Sequence, residues 1–270
     1  MMRLSTRFIP TSLVFAFSML KKLLRSSRVA GGPSFAPEPG SRIYAIGDIH
    51  GCRDELDRLL AMIDADDAAR GTAETTLIFL GDLVDRGPDS AGVIARLIAL
   101  SRARPRVRFL KGNHEELFLH ALTGAKDALR TFCRVGGKET VLSYGVGRAE
   151  YDSLDYPQLA ERMAALVPAE HRTFLDSFED IIVSGDYAFV HAGIRPEVPL
   201  DEQKPSDLRW IRDSFLDYRG PFPKMIVHGH TITPEVDRRT NRIGVDTGAY
   251  ASGKLTALGI EDRQTWILNT

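Results

Sequence analysis

The sequence predicts a layered α/β domain with a largely parallel sheet, and three observations lead to that prediction. Three strand–loop–helix units follow one another between Arg42 and Ala121. Each strand candidate is a short apolar run that ends in a polar loop containing glycine. Each helix candidate repeats apolar residues at the spacing of a helix that buries one face. Such units bring their polar loops to one edge of the sheet, where ligands usually bind.

The first unit has a strand candidate at Arg42–Ile46, followed by the loop Gly47–Gly51, which reads GDIHG. Asp48 and His50 stand two positions apart between glycines, so a tight loop can direct both side chains at one metal ion. An aspartate before a helix can instead cap it, but the adjacent histidine favours ligation. The predicted helix carries apolar residues at Leu56, Leu59, Leu60 and Ile63.

The second unit places the loop Gly81–Gly87, GDLVDRG, directly after the strand candidate Thr76–Leu80. Asp82 is a candidate metal ligand, Asp85 an orienting or proton-handling carboxylate, and Arg86 a fork for phosphate oxygens. A polar turn with an aspartate cap would account for this loop equally well when it is considered alone. The following helix has apolar positions at Val93, Ile94, Leu97 and Ile98.

The third unit runs from the strand candidate Val107–Leu110 into the loop Lys111–Glu115, KGNHE. Asn113 can bind a metal through its neutral carbonyl oxygen, and His114 can donate a proton to a leaving oxygen. Either residue alone is more often part of a turn or of the surface. The helix after this loop places Leu117, Phe118 and Ala121 on one face.

The rest of the chain combines a helical region with a second set of strands. Residues 123–180 form a predicted, mostly helical insertion without a cluster of ligand-type side chains. Three more histidines, His191, His228 and His230, then occur at the ends of short apolar runs. Five of the seven histidines thus lie in glycine-containing loops, which favours a metal site over isolated core histidines. The strand candidates are Ile181–Val183, Tyr187–Val190, Met225–Val227, Ile243–Val245, Leu255–Ile260 and Thr265–Leu268.

The overall charge and the cysteine content narrow the possible partners. With 35 Lys and Arg against 36 Asp and Glu, the net charge of −1 gives no electrostatic basis for binding nucleic acid. The two cysteines, Cys52 and Cys133, lack CxxC spacing, so we expect neither a disulfide framework nor thiolate ligation. This cysteine usage predicts a cytoplasmic protein.

Residues 1–41 form a predicted leader and linker ahead of a domain at residues 42–270. The apolar run Ser12–Leu20 follows basic residues, as a signal-peptide core does, but more basic residues stand where cleavage would occur. The run is also too short to span a bilayer comfortably. We expect a disordered leader, or one that associates weakly with a membrane through residues 1–25. Export and translation from Met19 are the alternatives.

Five of the loops, taken in order, resemble the motifs of the phosphoprotein phosphatase family of metallophosphoesterases. The resemblance covers about residues 42–260, and the insertion contributes least to it. Trp210–Arg212 and Asp246–Ala249 look most like the small bacterial and phage serine/threonine phosphatases. The five motifs are Gly47–Gly51, Gly81–Gly87, Gly112–Glu115, His191–Gly193 and Gly229–Thr231.

The resemblance implies a calcineurin-like β-sandwich flanked by helices, with two divalent metal ions at the edge of the sheets. Nitrogen and oxygen donors suit Mn, Fe or Zn without choosing among them; we expect Mn, with Fe or Zn as alternatives. By motif position, Asp48 and His50 hold the first ion, Asp82 bridges both ions, and Asn113, His191 and His230 hold the second. In the same way, His114 is the general acid, Asp85 orients it, and Arg86, Arg212 and Asn113 contact the phosphate.

The activity that the resemblance implies is hydrolysis of phosphoserine and phosphothreonine monoesters by direct attack of a hydroxide held between two metal ions. Hydrolysis of diadenosine tetraphosphate to symmetrical products is the main alternative, because those hydrolases share the scaffold. Asp85 in the Val-Asp-Arg form and Glu115 after Asn-His favour the protein phosphatase. Phosphotyrosine or broad phosphoester hydrolysis is a further alternative. A non-catalytic phosphate-binding module is disfavoured, since the ligands, the acid and both arginines are all present.

Overall fold

Strand β1 (Ser41–Ile46) lies at the centre of the first of two five-stranded sheets in a computed structural model, which describes residues 35–270. β2 (Glu74–Phe79) and β3 (Val107–Phe109) extend the sheet in parallel. On the other side, β9 (Thr256–Glu261) pairs antiparallel with β1, and β10 (Gln264–Asn269) pairs antiparallel with β9. The order is therefore β10-β9-β1-β2-β3. The three parallel strands belong to the three predicted units.

The second sheet also has a parallel centre with antiparallel edges. β5 (Tyr187–Val190), β6 (Met225–His228) and β8 (Arg242–Gly244) are parallel. The edge strands are β4 (Ile181–Ser184) beside β5 and β7 (Asp237–Arg238) beside β8. The short strand β7 was not predicted, because two charged residues carry no strand pattern; its pairing with β8 defines it.

Alternation along β1 explains how the layers pack. Ile43 and Ala45 face the second sheet, where they join a buried cluster that includes Phe189 and Val227. Tyr44 and Ile46 face the helices on the outer side and belong to a different cluster. A strand that is buried on both faces needs apolar residues throughout. The predicted sandwich of two sheets flanked by helices is confirmed.

The helices follow the predicted units and then fill the insertion. α1 (Arg53–Arg70), α2 (Ser90–Ala103) and α3 (Asn113–Leu122) bury the predicted apolar residues. Asp89 caps α2 by accepting a 2.8 Å hydrogen bond from the Gly92 amide, so neither loop aspartate of that unit is the cap. The remaining helices are Lys126–Phe132, a π-helical turn at Cys133–Gly137, Lys138–Ser143, Arg148–Ser153, Tyr156–Leu166, Ala169–Asp176, a 3-10 turn at Leu200–Glu202, Pro205–Trp210, Asp213–Leu216 and Ala249–Ser252.

The loops at the ends of the parallel strands lie against one another. The amides of Ile49 and His50 donate to the carbonyl oxygen of Asp82, at 3.0 and 2.9 Å. At Gly81, where φ is +98°, a β-carbon would lie 2.8 Å from Nδ1 of His191, a residue of the second sheet's loops. Glycine is required there because both the conformation and the space exclude a side chain. The polar loops of both sheets therefore form one site.

The N-terminal region is described only from residue 35 onward. Ala36 forms hydrogen bonds with Asp186 in the β4–β5 turn, so the last part of the predicted linker is attached to the second sheet. The apolar run and Met19 lie outside the described residues. Among residues 35–270, no helix has the length and apolar character needed to cross a membrane.

Candidate metal centre

Asp82 is shared by two groups of side chains that could each hold a metal ion. His50 and His114 complete one group, and His191 and His230 complete the other. Within each group, the candidate ligand atoms all lie within 4.8 Å of one another. Oδ2 of Asp82 is 3.7 Å from Nε2 of His50 and 3.4 Å from Nε2 of His191. A carboxylate between two such groups has the position that a bridging ligand needs.

Backbone carbonyls fix the orientation of two of these histidines. Nδ1 of His50 lies 2.7 Å from the carbonyl oxygen of Val84. Nδ1 of His191 lies 2.8 Å from the carbonyl oxygen of Leu80. Because a carbonyl only accepts hydrogen bonds, Nδ1 of each ring carries a proton, and in the neutral, metal-binding form Nε2 would direct its lone pair toward Asp82. Metal-binding imidazoles are usually held in this way.

The second group brings several electron-pair donors close together. Nε2 of His191 lies 3.0 Å from Oδ1 of Asn113 and 3.2 Å from Nδ1 of His230. Nε2 of His230 is buried and has no hydrogen-bond partner among the described residues. Burial lowers the pKa of His230 to about 2, so its ring is in the neutral form that binds metals. A metal cation could accept the lone pairs of these closely spaced atoms.

Asp48 lies beside these groups and contacts the backbone of the second one. Both of its carboxylate oxygens accept from the backbone amide of His230, at 3.1 and 3.0 Å. Burial raises the pKa of Asp48 well above its ordinary value, and the charges of Asp246 and Asp82 raise it further. A divalent ion would relieve this unfavourable burial of negative charge, so Asp48 is suited to a metal-ligand position in the centre.

Left-handed backbone conformations are concentrated at the site. Of the seven non-glycine residues with positive φ between residues 35 and 270, five are candidate site residues. This conformation is costly for a residue with a β-carbon and persists only where the surrounding structure imposes it. The five are His50 (45°), Asp82 (50°), Asp85 (73°), Arg86 (68°) and His230 (62°).

The donor set limits which ions fit. It consists of imidazole nitrogens, carboxylate oxygens and one amide oxygen, and such sets suit Mn, Fe or Zn without choosing among them. The geometry therefore agrees with a site for two divalent ions. The structure brings the six predicted ligands, Asp48, His50, Asp82, Asn113, His191 and His230, together in this region, and it also places His114 in the first group.

His114 and Asp85 form a buried pair next to these residues. Nδ1 of His114 lies 2.6 Å from Oδ2 of Asp85, and both side chains are buried. Burial lowers the pKa of His114, but the charge of Asp82 and the hydrogen bond with Asp85 outweigh that effect, so the pKa is raised. A histidine that keeps its proton and is held at one nitrogen has the properties of a general acid.

Arg86 extends its guanidinium between the two histidines of the first group. Nη1 lies 3.0 Å from Nε2 of His50, and Nη2 lies 3.0 Å from Nε2 of His114. The guanidinium carbon is also 4.9 Å from the centre of the Tyr250 ring, a cation–π contact. Arg86 therefore presents its planar fork beside the candidate metal ligands, as phosphate binding requires.

Arg212 lies near the second ligand group, whereas His228 lies outside both groups. Arg212 is exposed. Burial is the main cause that lowers the pKa of His230, and the positive charge of Arg212 is one of the smaller causes, so Arg212 lies near the second group. His228 is buried with its ring centroid 5.1 Å from that of Phe215, in an edge-to-face contact. His228 thus packs against the helix that follows Arg212 and belongs to neither ligand group.

Comparison with known proteins identifies the family. The sequence model of the calcineurin-like phosphoesterases matches residues 41–253. The chain belongs to the calcineurin-like phosphoesterase family. It is therefore a metallophosphoesterase, and its clustered histidine and aspartate side chains are consistent with bound divalent metal ions.

Curated relatives of this phosphoesterase include two kinds of nucleotide hydrolase. The chain is 28% identical over 245 residues to the asymmetrical bis(5'-nucleosyl)-tetraphosphatase of Anoxybacillus flavithermus, covering 82% of this chain and 91% of that protein. It is 42% identical over 270 residues to the symmetrical bis(5'-nucleosyl)-tetraphosphatase of Legionella pneumophila, covering 82% of this chain and 94% of that protein.

Solved structures support the fold of the phosphoesterase. One, provisionally assigned as a diadenosine tetraphosphatase, has a TM-score of 0.60 and 22% identity, covering 88% of this chain and 98% of that one. A cold-active protein tyrosine phosphatase variant has a TM-score of 0.52 and 18% identity, covering 91% of this chain and 84% of that one. At these identities the likeness concerns the fold alone.

Several residues that organise the phosphoesterase site were not assigned from the sequence. Glu115 is fully buried and accepts hydrogen bonds from the amides of Asp82, Leu83 and Gly112, at 2.8, 2.7 and 2.9 Å. It thereby joins the second loop to the third. Tyr250 was also missed, since one aromatic residue in a loop carries no pattern.

The insertion contributes to the site as well. Oγ1 of Thr140 accepts from the amide of Asp85 at 2.8 Å and donates to Oδ1 of the same residue at 2.6 Å. The carbonyl oxygen of Gly136 accepts from the amide of Arg86 at 3.0 Å. Gly136 and Gly137, two adjacent glycines within a helical pattern, were the sequence feature that could have indicated this contact, because such residues often mark a close approach of backbones.

Proposed function

We propose that this phosphoesterase hydrolyses bis(5'-nucleosyl) tetraphosphates at a centre of two divalent metal ions. The observation that carries the proposal is its similarity to two tetraphosphatases over about nine-tenths of their length, 91% and 94%. This favours the alternative from the sequence analysis over hydrolysis of phosphoserine and phosphothreonine. Manganese is the ion we propose, because three of the six proposed ligands are the carboxylate and amide oxygens that suit Mn²⁺.

The proposed roles of the residues follow from their positions. Two divalent ions at this centre would supply positive charge to phosphoryl oxygens and lower the pKa of a water molecule. Arg86 binds phosphoryl oxygens through its fork, and Arg212 adds positive charge from the exposed side of the site. His114 donates its proton to the departing phosphate oxygen, and Asp85 holds the ring in the orientation that this transfer needs.

Exposed aromatic side chains near the centre support a nucleotide substrate. Tyr250 is 39% exposed and its ring centroid lies 5.3 Å from that of His50. Trp210 is also 39% exposed, and its Nε1 donates a 2.6 Å hydrogen bond to Glu116, two residues after His114. An aromatic ring that stacks on a nucleobase contributes ~1–3 kcal/mol per base to the free energy of binding. Tyr250, which also contacts Arg86, is the better placed of the two.

In the structure, Asp85 and Glu115 do not favour a protein substrate. Asp85 bonds to His114, and Glu115 bonds only to backbone amides, so both residues serve the acid and the loops. Any phosphoester substrate needs these functions, and neither side chain selects a protein. Phosphoserine hydrolysis is therefore the competing outcome of the test.

The test compares two substrates on the same preparation. The purified protein is stripped of metal, reloaded with Mn²⁺, and assayed on diadenosine tetraphosphate and on a phosphoserine and phosphothreonine peptide. We expect the higher kcat/KM on the dinucleotide, with loss of turnover on chelation. Product analysis then separates symmetrical cleavage, which gives two ADP, from asymmetrical cleavage, which gives ATP and AMP. A preference for the peptide, or no turnover of the dinucleotide, would contradict the proposal.

A companion variant examines the aromatic contact. Tyr250→Leu removes the ring but keeps an apolar side chain. We expect kcat/KM on diadenosine tetraphosphate to fall by roughly 10-fold, from the loss of base stacking. Activity on inorganic tripolyphosphate, which has no base, should change much less. An equal loss on both substrates would show that the ring acts on the centre itself.

A further inference from the structure

Asp246 is a buried carboxylate beside the centre to which neither the motifs nor the proposed reaction assigns a role. It follows β8 by two positions and is 1% exposed. Its Oδ1 accepts a 2.8 Å hydrogen bond from the amide of Gly248. Its Oδ2 is buried and has no partner among the residues that the structure describes. A buried carboxylate oxygen without a partner is costly, so this atom calls for a ligand that the chain does not supply.

The position of Asp246 relates this free oxygen to the first metal site. The loop after β8 packs tightly on the loop after β1: a β-carbon on Gly47 would lie 2.8 Å from the carbonyl oxygen of Val245. Asp48 follows Gly47 directly. The same β-carbon would lie 3.5 Å from Cα of Asp246, so Asp246 stands against the backbone next to Asp48.

The groups that act on Asp246 are those of the centre. Burial is the main cause that raises its pKa to about 6, and the hydrogen bond from Gly248 opposes this rise. The negative charge of Asp82 raises the pKa further, whereas His191 and Arg86 lower it. Residues of the centre, namely Asp82, His191 and Arg86, therefore influence the charge of Asp246.

We propose that Asp246 is a further carboxylate ligand of the first metal site, where its free Oδ2 binds the divalent ion held by Asp48 and His50. The carboxylate oxygen is a hard donor that suits Mn²⁺. The inference rests on the proposed metal centre and not on the proposed substrate, so it stands whether the protein cleaves dinucleotides or phosphoproteins.

The hydrogen bond to Gly248 alone does not account for an aspartate at this position. That bond uses only one oxygen, and an asparagine would supply an equivalent neutral acceptor at the same place. The second oxygen and the negative charge are what an asparagine would lack. Asp246→Asn therefore separates ligation from the local hydrogen bond.

The experiment measures Mn²⁺ binding to the full chain by titration calorimetry, with free Mn²⁺ counted independently by electron paramagnetic resonance. We expect two Mn²⁺ ions in the unmodified protein. In Asp246→Asn we expect the affinity of one ion to fall by at least ~10–100-fold, the loss typical even of groups that only support a ligand. The second ion should bind as before.

A second measurement uses thermal unfolding of both proteins with and without Mn²⁺. Removing one buried carboxylate from this cluster should raise the unfolding temperature of the metal-free protein. It should also reduce the increase that Mn²⁺ produces, because less binding free energy is linked to folding. The matched control is Glu235→Gln, which removes one charge from an exposed side chain paired with Lys254 and should change neither reading.

The outcomes separate the possibilities. Weaker binding of one ion together with a smaller Mn²⁺ shift supports the inference. Unchanged affinity for both ions, or a metal-free protein destabilised as a purely structural contact would predict, overturns it. If Asp246→Asn does not fold, Asp246→Ser, which retains a short acceptor for the Gly248 amide, is judged by the same affinity measurement.

Discussion

The loops at the ends of the parallel strands and the helical segment Cys133–Thr140 serve the same site in different ways. The loops supply the side chains that would touch metal and phosphate. The helical segment supplies a hydroxyl and backbone carbonyl oxygens, which touch those side chains from behind. Chemistry therefore comes from the loops, and placement comes partly from a region that contains no candidate metal ligand.

The difference shows why one region was visible in the sequence and the other was not. Reactive groups require rare residue types at defined spacings, and glycines mark the tight turns that carry them. Positioning uses common groups such as a threonine hydroxyl or a peptide carbonyl, which occur everywhere. Thr140 is fully buried and forms two hydrogen bonds with Asp85, yet the sequence around it carries no motif that would mark this threonine as a positioning residue.

The largest effect should come from the loop residue common to both ligand groups. Asp82→Asn removes the charge shared between the groups, so we expect loss of both Mn²⁺ ions and of turnover. Metal analysis and a steady-state assay measure the two effects. The control is Asp89→Asn in the cap of α2, which should retain both ions and activity. Full turnover in Asp82→Asn would contradict the bridging assignment.

The next effect should separate acid chemistry from metal binding. His114→Ala should keep two Mn²⁺ ions and lose kcat by ~10²–10⁴-fold, since a general acid contributes about that much. The loss should be larger on phenyl phosphate than on p-nitrophenyl phosphate, whose leaving group needs less help from an acid. His120→Ala, an exposed position on the same helix, is the control. Equal losses on both esters would argue against the acid role.

A smaller effect should test the helical segment itself. Thr140→Val keeps the shape of the side chain and removes both hydrogen bonds to Asp85. We expect kcat to fall by ~10–100-fold, the equivalent of a hydrogen bond to a charged group at ~1.5–3 kcal/mol. The ester dependence should follow that of His114→Ala, with the metal content unchanged. Thr140→Ser should restore most of the rate; if it does not, the hydroxyl is not the cause.

The smallest effect should come from the contact between this segment and Arg86. A β-carbon on Gly136 would lie 2.7 Å from Cγ of Arg86, and the glycine has a φ of +119°. Gly136→Ala should therefore raise the inhibition constant of inorganic phosphate several-fold, in addition to a loss of stability of ~1–3 kcal/mol from backbone strain.

Gly145→Ala provides the matched control for that variant. Gly145 has a φ of +95° but no atom within 4 Å of the added β-carbon. It should lose similar stability, measured by denaturant unfolding, without a change in phosphate inhibition. An equal change in inhibition by the two variants would mean that the helical segment does not act through Arg86.

Much of the fold could be predicted because local pattern and tertiary structure agree. The apolar residues of β1 and α1 repeat at the periods of a strand and of a helix, and the structure buries them as that pattern requires. β7 could not be predicted, because Asp237 and Arg238 form a strand only by pairing with the buried β8. Short edge strands take their conformation from a neighbour and leave little trace in sequence.

The candidate site was predictable to the extent that its residues have distinctive types. All six proposed metal ligands, together with the His114–Asp85 pair and Arg86, lie in or beside the centre. The sequence could not reveal that Asp246 leaves one oxygen unpaired, or that Tyr250 contacts Arg86. Those facts depend on distances between loops that are far apart in the chain, and no local pattern encodes them.

The split of the candidate ligands between two sheets has a consequence for biogenesis. Asp48, His50, Asp82 and Asn113 precede the insertion, whereas His191 and His230 follow it by many residues. During synthesis the first four leave the ribosome while both later histidines are still untranslated, so the second ion can be held only after the C-terminal sheet has folded. With these ligands, uptake of the second ion would be a late step of maturation, and incomplete chains would lack activity that needs both ions.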